Sequence, residues 1–265
     1  MKTVFFTGAT GGLGELCVRA LSQRGWQVFA VGTNQDKLAQ LALIPNVVPL
    51  QADVCNMDSL QAAREELLLH TDRLDAVVNY AGISAFTSLV EGDGVPLMEK
   101  LIDINLMGTA RVNALLLDLV EKGKGRIVNC SSTVGWAAAQ PFNGAYCASK
   151  RGLEGYSDSL RRELMFIGIP VIKLQPGAYR TPLLSGINFS YQRALDATTR
   201  YTKVLKALKL VMDAVLRDAG DPQELVDTLI KALEDKKPRI KYRKGAGFLM
   251  HLMSVLPAPM VDWGY

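Results

Sequence analysis

Short runs of apolar and β-branched residues alternate along this chain with longer segments of helical periodicity, and this alternation constrains the fold most. The runs predict buried strands at residues 2–7, 26–31, 46–51, 74–79, 126–131 and 170–175, and residues 238–243 could add a seventh. Helical periodicity covers residues 13–24, 35–43, 57–70, 97–122 and 145–167. The sequence therefore predicts an α/β fold, a doubly wound parallel sheet of about seven strands with helices on both faces.

One segment breaks the alternation. Residues 181–216 run long and helical, with no strand inside, directly after the sixth predicted strand. Doubly wound folds place substrate-binding elements just beyond the carboxyl ends of strands, so this segment is predicted to be a helical substrate lid. Without a linker or an internal repeat, residues 1–265 are expected to form a single domain, ending in an apolar tail at 245–265.

Composition narrows the class of protein. The hydrophobic fraction of 49% is ample for a core, and a net charge of +4 makes no general case for nucleic acid as a partner. The four cysteines form no CxxC pair and have no metal-like spacing with the two histidines, so buried reduced thiols and no metal site are expected; they are Cys17, Cys55, Cys130 and Cys147. We read no signal peptide and no membrane span, and expect a soluble, cytoplasmic protein.

The first predicted strand ends in a glycine-rich turn, "TGATGGLG", which contains Gly8, Gly12 and Gly14. Glycines at a strand-to-helix turn allow backbone N–H groups to approach a pyrophosphate at the positive end of the helix. No Gly-Lys-Ser/Thr follows, which disfavours a Walker-type phosphate loop. A purely structural turn is the alternative, but its place in the first strand–helix unit favours nucleotide binding.

A tyrosine and a lysine lie four residues apart in "NGAYCASKRG". Residues i and i+4 share one helical face, so the ammonium of Lys150 is expected beneath the phenol of Tyr146. A nearby cation favours the phenolate and lowers the pKa of a phenol, so the pair could be a tuned proton donor and acceptor. An exposed tyrosine packed on a lysine stem is the plainer alternative.

Six short motifs in order carry a resemblance to a known family. They are "TGATGGLG", "NYAG" at 79–82, "INL" at 104–106, "SS" at 131–132, "YCASK" at 146–150 and "PGAYRT" at 176–181. In this order and spacing the chain resembles the short-chain dehydrogenase/reductase family, of the single-domain Tyr-x-x-x-Lys type, from residue 3 to about residue 181. The hydroxysteroid and retinol dehydrogenase-like branch is the suggested one.

The resemblance implies a catalytic set. Tyr146 would be the general acid and base, and Lys150 would lower its pKa and hold the nicotinamide ribose. A serine would polarise the substrate oxygen; Ser132 lies 14 residues before Tyr146 and Thr133 lies 13 before, and strand register favours Ser132. Asn105 would anchor a water near the lysine, with a local helix distortion or cap as its alternative.

The resemblance also implies a set of cofactor-binding residues. Pro176 and Gly177 would form a wall facing the nicotinamide, and Thr181 would bond its carboxamide or the pyrophosphate. Tyr80 departs from the second asparagine that is usual in this family's motif. The full predicted set is Gly8, Thr10, Gly12, Leu13, Gly14, Thr33, Asp53, Val54, Asn79, Ala81, Gly82, Tyr146, Lys150, Pro176, Gly177 and Thr181.

The residues after the second strand favour NADP(H) over NAD(H). An NAD-binding site carries an acidic residue there for the ribose 2′-hydroxyl, whereas this chain has Gly32 and Thr33. Thr33 and Asn34 could donate hydrogen bonds to a 2′-phosphate. Asp36 argues mildly against that preference, and the basic residues that many NADP-binding members carry nearby are missing.

These features predict an oxidoreductase that interconverts a secondary alcohol and a ketone by hydride transfer. A nucleotide-binding sensor without turnover, or a reductase of small polar carbonyls, is the alternative. Convergence of Asn105, Ser132, Tyr146 and Lys150 favours the enzyme over the sensor. Helices 97–122 and 145–167 carry apolar residues on more than one face, which predicts a homodimer or homotetramer.

The C-terminal region combines a basic run at 236–244 with the apolar segment "FLMHLMSVLP". The favoured interpretation is a last edge strand with a solvated basic face, followed by a tail near the substrate cleft or a neighbouring subunit. Weak peripheral membrane contact is the alternative, with Phe248, Leu249, Leu252 and Met253 at the lipid interface. Because the lid and tail are rich in leucine and methionine, the predicted substrate is apolar, such as a steroid, retinoid or other lipid-like molecule.

Overall fold

The structure, a computed structural model, describes residues 1–180, 182–217 and 219–263, without the side chains of residues 182–185, 187, 211, 214–216, 248 and 249. It contains a seven-stranded sheet of order β3-β2-β1-β4-β5-β6-β7 in which every neighbouring pair is parallel. The strands are β1 Lys2–Thr7, β2 Trp26–Gly32, β3 Val47–Gln51, β4 Ala76–Asn79, β5 Arg126–Cys130, β6 Val171–Pro176 and β7 Lys241–Lys244. The predicted doubly wound fold is confirmed.

The helices follow the strands in alternation. They are α1 Gly12–Gln23, α2 Gln35–Leu41, α3 Met57–Leu68, α4 Gly94–Ile102, α5 Thr109–Gly123, α6 Gly144–Leu164, α7 Pro182–Ala197, α8 Thr202–Arg217, α9 Pro222–Glu234, α10 Phe248–Met253 and α11 Ala258–Asp262. Short 3₁₀ turns occupy Thr133–Gly135 and Met165–Ile167.

Successive residues of β1, an interior strand, are buried in two separate cores on opposite faces of the sheet. Phe6 of β1 is buried with Val18 of α1 and Leu229 of α9, whereas the preceding residue, Phe5, is buried with Leu116 of α5 on the opposite face. This is the period-two alternation of a strand that is covered on both faces. The helices therefore fix the sheet from both sides, and the carboxyl ends of the strands stay open for a site.

The predicted helix 97–122 is interrupted. A π-helical turn, Asp103–Gly108, separates α4 from α5. Asn105 in this turn uses its carboxamide to bind the backbone of Ile83, and a Cβ on Gly108 would lie 2.7 Å from Val54 Cγ2. The wide turn therefore lets Asn105 form hydrogen bonds with backbone groups of a loop distant in sequence, and local periodicity does not reveal such contacts.

The predicted lid segment 181–216 forms two helices, α7 and α8, here named the lid helices. The break between them is set locally, since Thr198 Oγ1 accepts a hydrogen bond of 3.0 Å from the N–H of Tyr201. Two further predicted boundaries shift: β7 begins at Lys241 and not at residue 238, and α6 tightens into a 3₁₀ turn at Met165–Ile167. Gly168, at φ +76°, ends that turn in a left-handed conformation.

Chain order reverses between β1 and β4, which lie side by side although two strands follow β1 on its other flank. In open parallel sheets, ligands bind outside the carboxyl ends of the strands at such a switch point. The glycine-rich turn after β1 and the loop after β4 are the two segments that meet there.

Candidate active site

The glycine-rich turn is shaped by close backbone approach. Gly8 has φ +73°, and a Cβ at that position would lie 2.7 Å from the backbone nitrogen of Ala81. A Cβ on Gly14 would collide with the carbonyl of Gly8. Only glycine allows both approaches, and the turn leads directly into α1, whose first N–H groups lack intrahelical acceptors.

A cleft of about 460 Å³ opens at this point. It is lined by Thr7, Gly8, Thr10, Gly11, Gly12, Leu13, Gly14, Val31, Gly32, Thr33, Ala52, Asp53, Val54, Tyr80, Ala81, Gly82, Ile83 and Ile104. Ten of the predicted cofactor-binding residues lie in this lining: Gly8, Thr10, Gly12, Leu13, Gly14, Thr33, Asp53, Val54, Ala81 and Gly82. A long cleft with helix N–H donors at one end suits a dinucleotide.

The loop after β4 is tied to the glycine-rich turn. Thr7 Oγ1 accepts hydrogen bonds of 3.1 Å from the N–H groups of both Tyr80 and Ala81. The Tyr80 ring stacks on Phe6 with its centroid 5.5 Å away, so it packs into the core under the loop. The position where the family carries asparagine is therefore filled here by an aromatic side chain that supports the cleft floor.

Asn79 is not among the residues that line the cleft, and its cofactor contact stays a prediction. Its side chain is 2% exposed, and its Nδ2 donates to Asn113 Oδ1 at 2.7 Å and to Asn129 Oδ1 at 2.9 Å. Asn129 in turn donates to Ser157 Oγ at 3.0 Å. These residues form a buried polar network between β4, β5, α5 and α6, because a carboxamide inside a core needs partners.

Tyr146 and Lys150 lie in the first two turns of α6, as their spacing predicted. Lys150 is 5% exposed; its Nζ lies 5.9 Å from the Tyr146 ring centroid and donates to the carbonyl of Cys130 at 2.8 Å. Cys130 is the last residue of β5, so the lysine joins the helix to the strand end. Tyr146 is half-buried, and Ser132 lies close enough to lower the pKa of its phenol.

Ser132 lies two residues after the end of β5 and caps the 3₁₀ turn that starts at Thr133. Its hydroxyl accepts a hydrogen bond of 3.4 Å from the N–H of Val134 and contacts the Tyr146 phenol. Thr133 and Ser131 are also buried, but of these three hydroxyls Ser132 is the one that lowers the pKa of Tyr146. This interaction favours Ser132 over Thr133 as the partner of the tyrosine.

Asn105 combines the two interpretations that the sequence left open. It lies in the π-helical turn, fully buried, and its side chain accepts from Ile83 N–H at 2.8 Å and donates to Ile83 O at 2.9 Å and Ser149 Oγ at 3.0 Å. A Cβ on Gly82 would lie 3.1 Å from Asn105 Oδ1 and 3.4 Å from Lys150 Nζ. The carboxamide and the lysine ammonium therefore both lie against Gly82.

The predicted wall residues after β6 have an additional role. The N–H of Gly177 donates to the carbonyl of Lys244 at 2.7 Å, and Pro176 pairs with Lys244 across the sheet. The segment after β6 is thus held by β7. Thr181, the last predicted contact, lies outside the described residues.

Burial, more than charge, sets the proton affinities at the site. Burial raises the pKa of the Tyr146 phenol, and the hydrogen bond from Ser132 opposes this. Burial lowers the pKa of Lys150, and nearby Cys130 and Glu154 oppose that shift. The prediction that Lys150 lowers the Tyr146 pKa is wrong for this structure, because the ammonium is directed at the Cys130 carbonyl and both groups are desolvated.

The rim of the cleft contains a cation that the sequence analysis missed. Thr33 is exposed at the end of β2, and Asn34 uses its Oδ1 to cap α2 by accepting from Lys37 N–H at 2.9 Å. Lys37 Nζ donates to the carbonyl of Thr10 in the glycine-rich turn at 3.0 Å. Its position four residues after Thr33, on the first turn of a helix, was the available sequence signal.

All four cysteines are free; Cys17, Cys130 and Cys147 are buried and Cys55 is partly exposed. Burial raises the pKa of Cys130 to about 11 and of Cys55 to about 12. Within the described residues, no cluster of three or more His, Cys, Asp or Glu side chains could hold a metal ion. No helix in the described part of the chain is long and apolar enough to cross a membrane.

The fold and the site define a class. A glycine-rich turn at the switch point of a parallel sheet, a cleft that suits a dinucleotide, and a buried serine–tyrosine–lysine group beside it describe a nicotinamide-dependent oxidoreductase. The family profile for short chain dehydrogenase matches residues 2–191. The chain belongs to the short-chain dehydrogenase/reductase family.

Relatives and solved structures agree with this family. Human 17-beta-hydroxysteroid dehydrogenase type 6 is 33% identical over 99% of this chain and 87% of its own length. Retinol dehydrogenase 16 of Rattus norvegicus is 32% identical over 98% and 86%. A short-chain dehydrogenase from Streptomyces avermitilis has the same fold, with a TM-score of 0.80, 24% identity and coverage of 99% and 96%.

Proposed function

We propose that this protein is an NADP(H)-dependent oxidoreductase that interconverts a secondary alcohol and a ketone on an apolar, lipid-like substrate. One arrangement carries the reaction: the Ser132 hydroxyl lies close enough to the Tyr146 phenol to lower its pKa, and Lys150 Nζ lies 5.9 Å from the centroid of the Tyr146 ring. A substrate oxygen placed between the two hydroxyls would be polarised by one and protonated by the other.

A nicotinamide cofactor in the cleft would supply or accept the hydride. The glycine-rich turn would hold its pyrophosphate, and Lys150 would reach its ribose. In reduction, the Tyr146 O–H bond breaks as its proton passes to the carbonyl oxygen, while Ser132 stabilises the developing negative charge. A protonated Tyr146 would act as the acid in the reductive direction, and burial, which raises its pKa, favours that form.

The preference for NADP(H) is supported by the charges at the end of β2. Thr33 stands on the cleft where an NAD-binding site carries a carboxylate, and Lys37 lies at the same rim, bound only to a backbone carbonyl among the described residues. Lys37 could turn from the Thr10 carbonyl toward a 2′-phosphate. A charge-assisted bond of this kind is worth about 1.5–3 kcal/mol, or about 10- to 100-fold in affinity.

Titration of the purified protein with NADPH and NADH, followed by cofactor fluorescence, tests the preference. Lys37→Met should raise the NADPH dissociation constant at least about 10-fold and leave that for NADH nearly unchanged, and Thr33→Asp should move preference toward NADH. Lys122→Met is the control, since Lys122 is exposed on α5 far from the cleft. An unmodified protein that prefers NADH would overturn this part of the proposal.

An apolar substrate is supported by the contacts between the lid helices and the loop before α6. Phe86 lies 5.8 Å from Phe142 and 5.4 Å from Tyr191 between ring centroids, and Phe142 lies 5.3 Å from Tyr201. One member of this aromatic cluster, Phe142, lies four residues before Tyr146 in sequence. The names of two relatives, a retinol dehydrogenase and a hydroxysteroid dehydrogenase, agree with such a surface.

A substrate screen by absorbance at 340 nm tests the substrate class. Steroid, retinoid and other lipid-like ketones and alcohols should exceed small polar carbonyls in kcat/KM. A small polar substrate that outperforms all of them would refute the apolar class and leave the oxidoreductase assignment intact. Cofactor binding with no turnover of any substrate would favour the sensor.

Two expectations stay predictions, a homodimer or homotetramer and a cytoplasmic location, and weak membrane contact by the tail stays the less favoured alternative as a third point to test. Light scattering of the purified protein over a dilution series tests the first. Co-sedimentation with anionic vesicles, comparing the full chain with a chain truncated after Lys244, tests the third, and truncation should also raise KM for a lipid-like substrate. For the membrane contact, the side chains of Phe248 and Leu249 lie outside the described residues.

A further inference from the structure

One member of the C-terminal basic run is turned inward. Arg243 of β7 is half-buried; its Nε donates to Gln175 Oε1 at 2.8 Å, and its guanidinium lies 4.0 Å from the centroid of the Trp136 ring. Its neighbours Lys241 and Lys244 are exposed. Arg243 is therefore committed to two contacts inside the protein and is not part of a solvated face.

The contact between Arg243 and Trp136 reaches the turn that carries Ser132. Trp136 ends the 3₁₀ turn Thr133–Gly135, and its backbone N–H donates to the carbonyl of Thr133 at 3.2 Å. The His251 ring lies 4.9 Å from the Trp136 ring, and Gln140 contacts Met250 Sδ at 3.9 Å. The indole is thus held by Arg243 and by α10, both from the C-terminal part of the chain.

The contact between Arg243 and Gln175 reaches the helix that carries Tyr146 and Lys150. Gln175 is 1% exposed and donates from Nε2 to Glu154 Oε1 at 2.7 Å. Glu154 lies one turn after Lys150 on α6, and it also pairs with Lys173 at 2.9 Å. A Cβ on Gly135 would lie 3.0 Å from Glu154 Cγ, so the glutamate packs directly against the Ser132 turn.

Arg243 therefore connects both elements that supply the reacting hydroxyls. The cation–π contact fixes the end of the Ser132 turn, and the hydrogen-bonded pair Gln175–Glu154 fixes α6 one turn below the lysine. We propose that Arg243 is a positioning residue that, through Trp136 and Glu154, holds Ser132 close to Tyr146. The inference rests on the proposed roles of those two residues in the reaction.

The chemistry requires arginine at this position. A planar guanidinium can stack on an indole while an N–H in its plane donates to an amide oxygen, whereas a lysine ammonium keeps the charge without the fixed geometry. A displacement of the reacting groups by about 1 Å can cost about 100-fold in rate. Arg243→Met should therefore lower kcat at least about 10-fold, and Arg243→Lys should recover only part of it.

The test compares Arg243→Met with Arg239→Met, a control in the same basic run whose side chain is exposed. Hydrogen–deuterium exchange of the amides at 133–137 should quicken at least about 10-fold in Arg243→Met only. In the same variant kcat falls, while the NADPH dissociation constant changes less than about twofold because the cleft lining is untouched. Trp136→Phe, which keeps an aromatic face, should lie between the two.

Two results would overturn the proposal. Exchange at 133–137 that matches the Arg239→Met control would show that Arg243 does not hold the turn. Faster exchange with an unchanged kcat would show that the turn's order does not matter for catalysis. Failure of the proposed function is distinguishable, because a Tyr146→Phe enzyme that kept its activity would refute the catalytic roles while the exchange comparison still reported the coupling.

Discussion

Replacing Asn105 with leucine tests how a buried carboxamide serves both stability and turnover. The side chain makes three hydrogen bonds, two with the backbone of Ile83 and one with Ser149. Each contributes about 1 kcal/mol net, and the Ile83 groups would be left without partners at the edge of the core. We therefore expect Asn105→Leu to lower the free energy of unfolding by about 3 kcal/mol, measured by urea denaturation with an unchanged slope.

Asn113→Leu is the matched control on the same helical segment. Asn113 also has three polar contacts, with Asn79, Asn129 and the Tyr156 hydroxyl, but they belong to the buried network. We expect a similar loss of stability with little change in kcat, whereas Asn105→Leu should lower kcat at least about 10-fold because it removes a polar group beside Lys150. Equal losses of kcat in both variants would refute a functional role for Asn105.

Two other predictions follow from pKa shifts. Since burial raises the pKa of Tyr146, its acid form persists through neutral pH. The rate of ketone reduction should therefore be flat from about pH 6 to about pH 8 and fall at alkaline pH, while the rate of alcohol oxidation rises with pH. A reduction rate that has already fallen by half below about pH 8 would contradict this prediction. Hydrogen bonds from Thr198 and Arg200 lower the pKa of Glu91. The ionised Glu91 carboxylate therefore stabilises the segment between the lid helices at a pH above its pKa in the unfolded chain, and this stabilisation is lost as the pH falls through its lower pKa in the folded protein. Glu91→Gln should raise KM near neutral pH in steady-state assays, and Glu99→Gln, on exposed α4, should not.

Much of the fold was predictable because its signals are local. Six of the strands lie within a few residues of their predicted positions, since β-branched runs between helical periods identify a parallel sheet. Helix α9 lies outside the predicted helices, although Asp221 caps it and Pro222 occupies its first turn, which is a helix-start signal in the sequence. The π-helical turn could not be predicted, because its cause is a bond to Ile83, which lies 22 residues away in sequence.

At the site, the spacing of residues in the sequence predicted which side chains lie close together but not how deeply they are buried. The i and i+4 relation placed Tyr146 and Lys150 together, yet the direction of the tyrosine pKa depends on burial, which arises only when β5, α6 and the loop after β4 pack. Asn79 was placed by its motif on the cleft, whereas its side chain lies in the interior network. The basic run showed charge at Arg243 but not that this residue faces Trp136.

The central claim is that Tyr146 transfers the proton while the rest of the cleft binds the cofactor, and Tyr146→Phe tests it most directly. The measurement pairs the rate of substrate reduction at saturating NADPH with the NADPH dissociation constant by isothermal titration. Because only the hydroxyl is removed, the rate should fall about 100-fold or more, with affinity within about twofold of the unmodified protein. A Tyr146→Phe protein that keeps more than about a tenth of the activity would contradict the account.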